Sequence, residues 1–146
     1  MKSWFITLVV ILFVGFALYY QSHPLVSKVR IRNTVIITEV AVTEAQKQKG
    51  LAGRSFLADD RGMLFPYDHK EQYNFWMRGM QIPLDFIWID GNHIVDITEN
   101  VPPPKGTEPL GIVKPHVEVN KVLEVNAGTI QRNGIRIGDA VEFLDR

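Results

Sequence analysis

The chain has 146 residues, enough for one ordinary domain and too few for two. Hydrophobic residues make up 46% and charged residues 22%, a globular balance, and 16 Lys plus Arg against 16 Asp plus Glu leaves no basic footprint for nucleic acid. Cysteine is absent, which excludes disulfides, thiol nucleophiles, cysteine-ligated zinc and lipoprotein attachment through a cysteine.

Trp4 to Tyr20 is an uncharged apolar run preceded by Lys2. A helix of that length rises about 25 Å, slightly short of a hydrocarbon core of about 30 Å. As an uncleaved anchor it would place Trp4, Tyr19 and Tyr20 at the two interfaces. As a signal peptide it offers Gly15-Phe16-Ala17 as a small-x-small cleavage site. The anchor is favoured, because the run continues past Ala17 into Leu18-Tyr19-Tyr20 with no polar region before the site. Either reading places the domain outside the cytoplasm, membrane-anchored or, after cleavage, secreted or periplasmic. Residues 1–3 are then a flank, 4–20 the anchor or signal, 21–28 a polar linker broken by Pro24, and 29–146 the domain.

Val29-Arg30-Ile31-Arg32 alternates with period two, and Val35 to Val42 is a second, β-branched strand after a turn at Asn33-Thr34. Thr43-Glu44-Ala45-Gln46 has capping-box spacing and starts a short helix that Gly50 stops. Leu51-Ala52-Gly53-Arg54 is a tight corner, and Asp59-Asp60-Arg61-Gly62 a turn. Met63-Leu64-Phe65 reads as a strand ended by Pro66, and Tyr73 to Met80 as another. Leu84 to Ile89 and His93 to Glu99 flank Asp90-Gly91-Asn92, a hairpin signal. Asn100 to Glu118 is a proline-rich loop with no regular element. Lys121 to Asn126 returns to strand, Asn126 caps a short helix that Gly134 ends, and a last strand follows a turn at Gly138-Asp139. The expected fold is α+β and mainly β. It is a small antiparallel barrel or sandwich with two short helices, preceded by an N-terminal hydrophobic helix.

The order of these motifs resembles the DUF192 (UPF0127) domain of bacteria and archaea from about Glu39 to Phe143. The resemblance is carried by Lys49-Gly50-Leu51-Ala52-Gly53-Arg54, Gly62-Met63-Leu64-Phe65, Phe75-Trp76-Met77-Arg78 with Ile82-Pro83-Leu84-Asp85, Glu99 to Pro103, Val122 to Gly128, and Gly134 to Asp139. Gly79-Met80 departs from the family, where many members carry an asparagine and a small or β-branched residue. The proline-rich loop lacks the cysteines of some members. The resemblance implies a small, mostly β domain, often exported, in a family named for the lack of an assigned function.

Arg78, set among apolar neighbours, should find a carboxylate or a ligand anion. Asp85 and Asp96 are candidate partners. One reading is an Arg78–Asp ion pair that locks the barrel. The other is a polar spot in an aromatic pocket walled by Phe75 and Trp76. The candidate ligand-binding set is Phe75, Trp76, Arg78, Asp85, Asp96 and Asn100. Catalytic and metal residues are not indicated. Ser55 lacks the second glycine of a nucleophile elbow, and His23, His69, His93 and His116 lack ligand spacing. Glu124 and Asn126 alternate with Leu123 and Val125, which reads as a solvated strand face. No cofactor is expected. The leading function is a membrane-tethered, non-catalytic binding or accessory module for a small molecule, a glycan or an envelope protein. The alternatives are a glycan hydrolase pairing Asp85 with Asp96 or Glu124, and a structural subunit of an envelope complex.

Overall fold

The computed structural model describes residues 4, 6–12, 15, 25–106 and 111–144. Much of the apolar N-terminal run, including Phe16 and Ala17 of its small-x-small site, and residues 21–24 of the linker lie outside the described residues, as do positions 107–110 of the proline-rich loop. Residues 4, 6–12 and 15 have helical backbone. Among the described residues no helix is long and apolar enough to cross a membrane.

Nine strands follow: β1 (Leu25–Ile31), β2 (Thr34–Val40), β3 (Arg61–Glu71), β4 (Phe75–Trp76), β5 (Leu84–Asp90), β6 (His93–Val101), β7 (Ile112–Val113), β8 (Val119–Asn126) and β9 (Val141–Phe143), with helices α1 (Glu44–Lys49) and α2 (Thr129–Asn133). Seven strands form one sheet in the order β6-β5-β8-β3-β2-β1-β9, and β4 and β7 form a separate ribbon. The sheet curls into a half-barrel. Its edges meet at one corner, where Gly138 N donates to Ile94 O at 2.8 Å, Ile94 N to Asp139 O at 3.0 Å and Val141 N to Asn92 O at 2.9 Å. The domain is mainly β with short helices, as expected. One pair departs from the antiparallel expectation: β2 and β3 are parallel. The chain between them carries α1 and a corner, long enough to return to the same end of the sheet.

The helix ends follow local chemistry. Thr43 accepts from Gln46 N while the Gln46 side chain accepts from Thr43 N, a complete capping box. Gly134 ends α2 in the left-handed conformation. Gly91, at φ 61, makes the β5–β6 hairpin. β1 begins at Leu25, inside the stretch expected to be a linker, and the structure departs from expectation at four further places. β3 does not stop at Pro66 but runs to Glu71. Its pairing with β2 ends at Leu64, so Pro66 lies on a free edge where its missing N–H costs nothing. The strand expected over Tyr73 to Met80 is only Phe75–Trp76, and it pairs with β7, a strand inside the loop read as irregular. Asn126 does not cap α2. Its Nδ2 donates to Leu57 O and Ala58 O, and Gly128 takes the N-cap position.

Two apolar clusters lie on the two faces of the central strands. All seven strands contribute to the first, which includes Val29, Ile31, Ile36, Leu64, Ile87, Ile94, Leu123 and Val141 and fills the curl. The second is built on β3, β5 and β8, with Met63, Phe65, Phe86, Trp88 and Val122, and is covered by Phe75, Val113, Leu51, Leu57, Met77 and Met80. The central strands are therefore buried on both faces. That explains why Leu84 to Ile89 is nearly continuously apolar rather than alternating. The cover of the second face does not close completely, and the opening is the cleft described next.

Candidate functional site

Phe75 anchors the β4–β7 ribbon onto the outer face of the sheet. Its ring meets Phe65, Phe86 and Trp88 edge-on at 5.1, 5.8 and 5.6 Å. Alternation then turns Trp76 outward, and 46% of it stays exposed. Between this ribbon and α1 lies a cleft of about 370 Å³. One wall carries Phe75, Trp76, Arg78 and Met80, the other Lys47, Lys49, Gly50 and Leu51, with Tyr67 and Tyr73 at the side. The two tyrosine rings stack at 3.6 Å, and Lys47 Nζ lies 4.4 Å from the centre of the Tyr67 ring. Burial first, then the neighbouring Tyr73 and Glu44, pushes the Tyr67 hydroxyl upward, so it stays a neutral donor.

Glu124 also lines this cleft. Alternation along β8 predicts a solvated face for it, and the structure places it instead at 5% exposure. It stands opposite Phe86 on β5 and Met63 on β3, both in the second apolar cluster. Its Oε2 has no hydrogen-bond partner among the described residues. Burial with no compensating partner pushes its pKa up to about 8, so the carboxyl is protonated at neutral pH. Gly50 lies beside it, where an added Cβ would stand 3.7 Å from Oε2. At φ 50 and ψ −138 the Gly50 backbone occupies a region that favours glycine. One signal for Glu124 was present in the sequence. It was a weak one: Val122 is the one apolar residue on that face of β8, between Asn120 and Glu124, and Asn126 follows.

Of the six residues proposed from the sequence, Phe75, Trp76 and Arg78 border the cleft. Arg78 is exposed and has no ion-pair or hydrogen-bond partner among the described residues. The Arg78–Asp ion pair is therefore not formed. Asp85 is fully buried on the opposite sheet face from Glu124, since Phe86, not Asp85, pairs with Glu124. Its Oδ1 accepts from Asn100 N at 2.8 Å and its Oδ2 from Ile130 N at 3.0 Å. It thus serves as a remote cap for the first turn of α2 and holds Asn100 at φ 56. Asp96 accepts from Ile97 N, His116 N and His116 Nδ1 at 2.8, 2.7 and 2.9 Å, which ties the proline-rich loop to β6. Burial pushes its pKa up, but these bonds outweigh burial and hold it below the usual carboxylate range. Asp85, Asp96 and Asn100 do not line the cleft. Among the described residues no group of three or more His, Cys, Asp or Glu side chains could hold a metal ion.

The DUF192 family model, described as an uncharacterized ACR, matches residues 27–143. A Sinorhizobium meliloti protein described as a candidate transcription regulator superposes with a TM-score of 0.76 at 32% identity, over 82% of this chain and 95% of that one. A Novosphingobium aromaticivorans protein of unknown function superposes at 0.72 with 33% identity, over 80% of this chain and 84% of that one. No curated protein matches the chain. The match over nearly the whole half-barrel, from β1 to β9, means that the chain belongs to the DUF192 family.

Proposed function

We propose that this protein is a membrane-tethered, extracytoplasmic and non-catalytic binding module whose ligand occupies the cleft above Glu124. The observation that carries the reading is the unpartnered, buried Glu124 carboxyl at the edge of an open, aromatic-walled cleft. A buried polar group without a partner costs roughly 1–3 kcal/mol, and a ligand hydroxyl or amide would recover that cost. The cleft volume suits a small molecule, and apolar walls with few polar groups are the usual make-up of such sites. Tethering rests on the apolar run from Trp4 to Tyr20 after Lys2, which would form an N-terminal hydrophobic helix and hold the domain at the outer membrane surface. The regulator name of the Sinorhizobium relative is not carried over, because 16 positive against 16 negative side chains provide no electrostatic footprint for DNA.

A hydrolytic reading has one observation in its favour: a protonated, buried carboxyl is the form a general acid takes. Hydrolysis of a glycan needs a second carboxylate in the same cleft. Glu44 is the one other acid that lines it, and it sits exposed on α1, 3.3 Å from Lys47. A thermal-shift screen of the full chain against glycans, anions and divalent metals tests the binding reading, because a ligand of the native state raises the melting temperature by mass action. A shift from one ligand class, lost in a folded Arg78→Ala or Trp76→Ala variant, supports it. Shifts that neither variant alters would place the ligand elsewhere. Turnover of a glycan that Glu124→Gln abolishes would replace the binding module with the enzyme.

A further inference from the structure

Resting on the cleft as a binding site, we propose that its ligand is an anionic sugar, with the acidic group on Arg78 and Lys49, the ring against Trp76 and a hydroxyl on Glu124. Three separate features of the cleft set these three requirements. The cleft is lined by Lys47, Lys49 and Arg78, and besides Glu124 the one acid lining it among the described residues is Glu44, which is already bound to Lys47. Arg78 has no protein partner among the described residues, so its guanidinium is open to a carboxylate or phosphate, for which its planar fork is suited. The same excess of cations disfavours an amine.

At the inner end the polar group is a neutral carboxyl. It both donates and accepts, as a sugar hydroxyl does, so the two match as a pair. An ionised acid on the ligand at that depth would have to share an apolar pocket with no cation beside it, which places the ligand's charge at the mouth and its hydroxyls within. On the side, Trp76 keeps 46% of its surface exposed although it follows a buried core phenylalanine. An exposed indole at a cleft rim is a flat apolar platform of the kind that packs on the C–H face of a sugar ring. A cleft of about 370 Å³ accepts one or two rings.

The test is calorimetric titration of the full chain, in detergent, with glucuronate, glucose phosphate, glucose and glucosamine. One or both anionic sugars should bind at least roughly tenfold more tightly than glucose and glucosamine, the discrimination of a single charged hydrogen bond. The arm that binds tells whether the anion is a carboxylate or a phosphate. Arg78→Ala, a change at an exposed side chain, should weaken binding by roughly tenfold or more. Glu124→Leu should do the same, while Glu124→Gln, whose amide also donates and accepts, should retain binding and guard against a folding artefact in the leucine variant. Equal or tighter binding of glucose or glucosamine overturns the inference, as does anionic-sugar binding unchanged in both Arg78→Ala and Glu124→Leu. If no sugar binds but another class in the thermal-shift panel does, with loss in Trp76→Ala, the anionic-sugar inference falls and the site stands. If nothing in either panel binds, both fall.

Discussion

Replacing Glu124 by glutamine should stabilise the protein, by an amount that depends on pH in a defined direction. The ordinary pKa of a glutamate, 4.5, holds in the unfolded chain, and burial raises it to about 8 in the folded one. Between those values the folded state holds the proton more tightly than the unfolded state, so folding stability falls as pH rises through the window. Below 4.5 both states are protonated and Glu124 contributes no pH-dependent penalty. The gap corresponds to roughly 3 kcal/mol at pH 7 and roughly 5 kcal/mol above pH 8. Glutamine cannot ionise. The stability difference between Glu124→Gln and the parent should therefore be smallest near pH 4 and grow by these amounts toward pH 8. In a chain of this size the pH 7 gain is about 10 °C in Tm. Urea denaturation of both proteins from pH 4 to pH 8.5 measures it, and taking the difference cancels every other titrating group. A fixed offset from the amide is allowed. A difference that stays flat with pH, or shrinks as pH rises, would refute a buried neutral carboxyl at this position.

Asp85→Ala should cost roughly 3 kcal/mol by urea denaturation, because it leaves Ile130 N without its acceptor in a buried site and Asn100 N without its acceptor in a partly buried one. Trp88→Ala should cost about 3–5 kcal/mol through a core cavity, whereas Trp76→Ala should change stability by less than about 1 kcal/mol; thermal melts of the two variants compare them. Gly62→Ala should destabilise by about 1–3 kcal/mol, since the new Cβ would stand 2.6 Å from Glu124 O; a lower urea midpoint would record it. The Arg54–Glu39 fork, at 2.6 and 2.7 Å, lowers the Glu39 pKa through the Arg54 hydrogen bond. Its contribution is present above the ordinary value of 4.5 and is lost as pH falls through the depressed one, so Glu39→Gln should cost about 1 kcal/mol at pH 7 and little near pH 2.

Elements set by local chemistry were legible in the sequence. The Thr43–Gln46 capping box, the Gly91 hairpin and the Gly134 stop depend on a few adjacent residues, and the structure has each of them. The apolar continuity of Leu84 to Ile89 marked a strand, and Trp88 lies at its centre with Nε1 donating to Thr98 Oγ1. What was not legible depended on distant partners. Pro66 looked like a strand end, and only the departure of β2 makes it harmless. Glu124 looked solvated because alternation within β8 assigns one face to water. That face is covered by Phe75, Met77 and Met80, brought in from a segment whose own strand is two residues long. The same distance in sequence hid the fates of the acidic candidates. Asp85 caps a helix forty-odd positions away, and Asp96 holds His116 across the proline-rich loop. Phe75, Trp76 and Arg78 were found because aromatic and cationic residues in one short stretch needed a common explanation, and they share a cleft.

The decisive measurement is nuclear magnetic resonance of the isotope-labelled full chain at pH 7, following the Glu124 carboxyl carbon and the Trp76 indole while a compound that raises the melting temperature is added. Binding in the cleft requires both signals to move together and saturate, starting from a Glu124 signal in its protonated position. A compound that stabilises the protein but moves signals around Phe56 and Asn126 instead, with Glu124 and Trp76 unchanged, would contradict it.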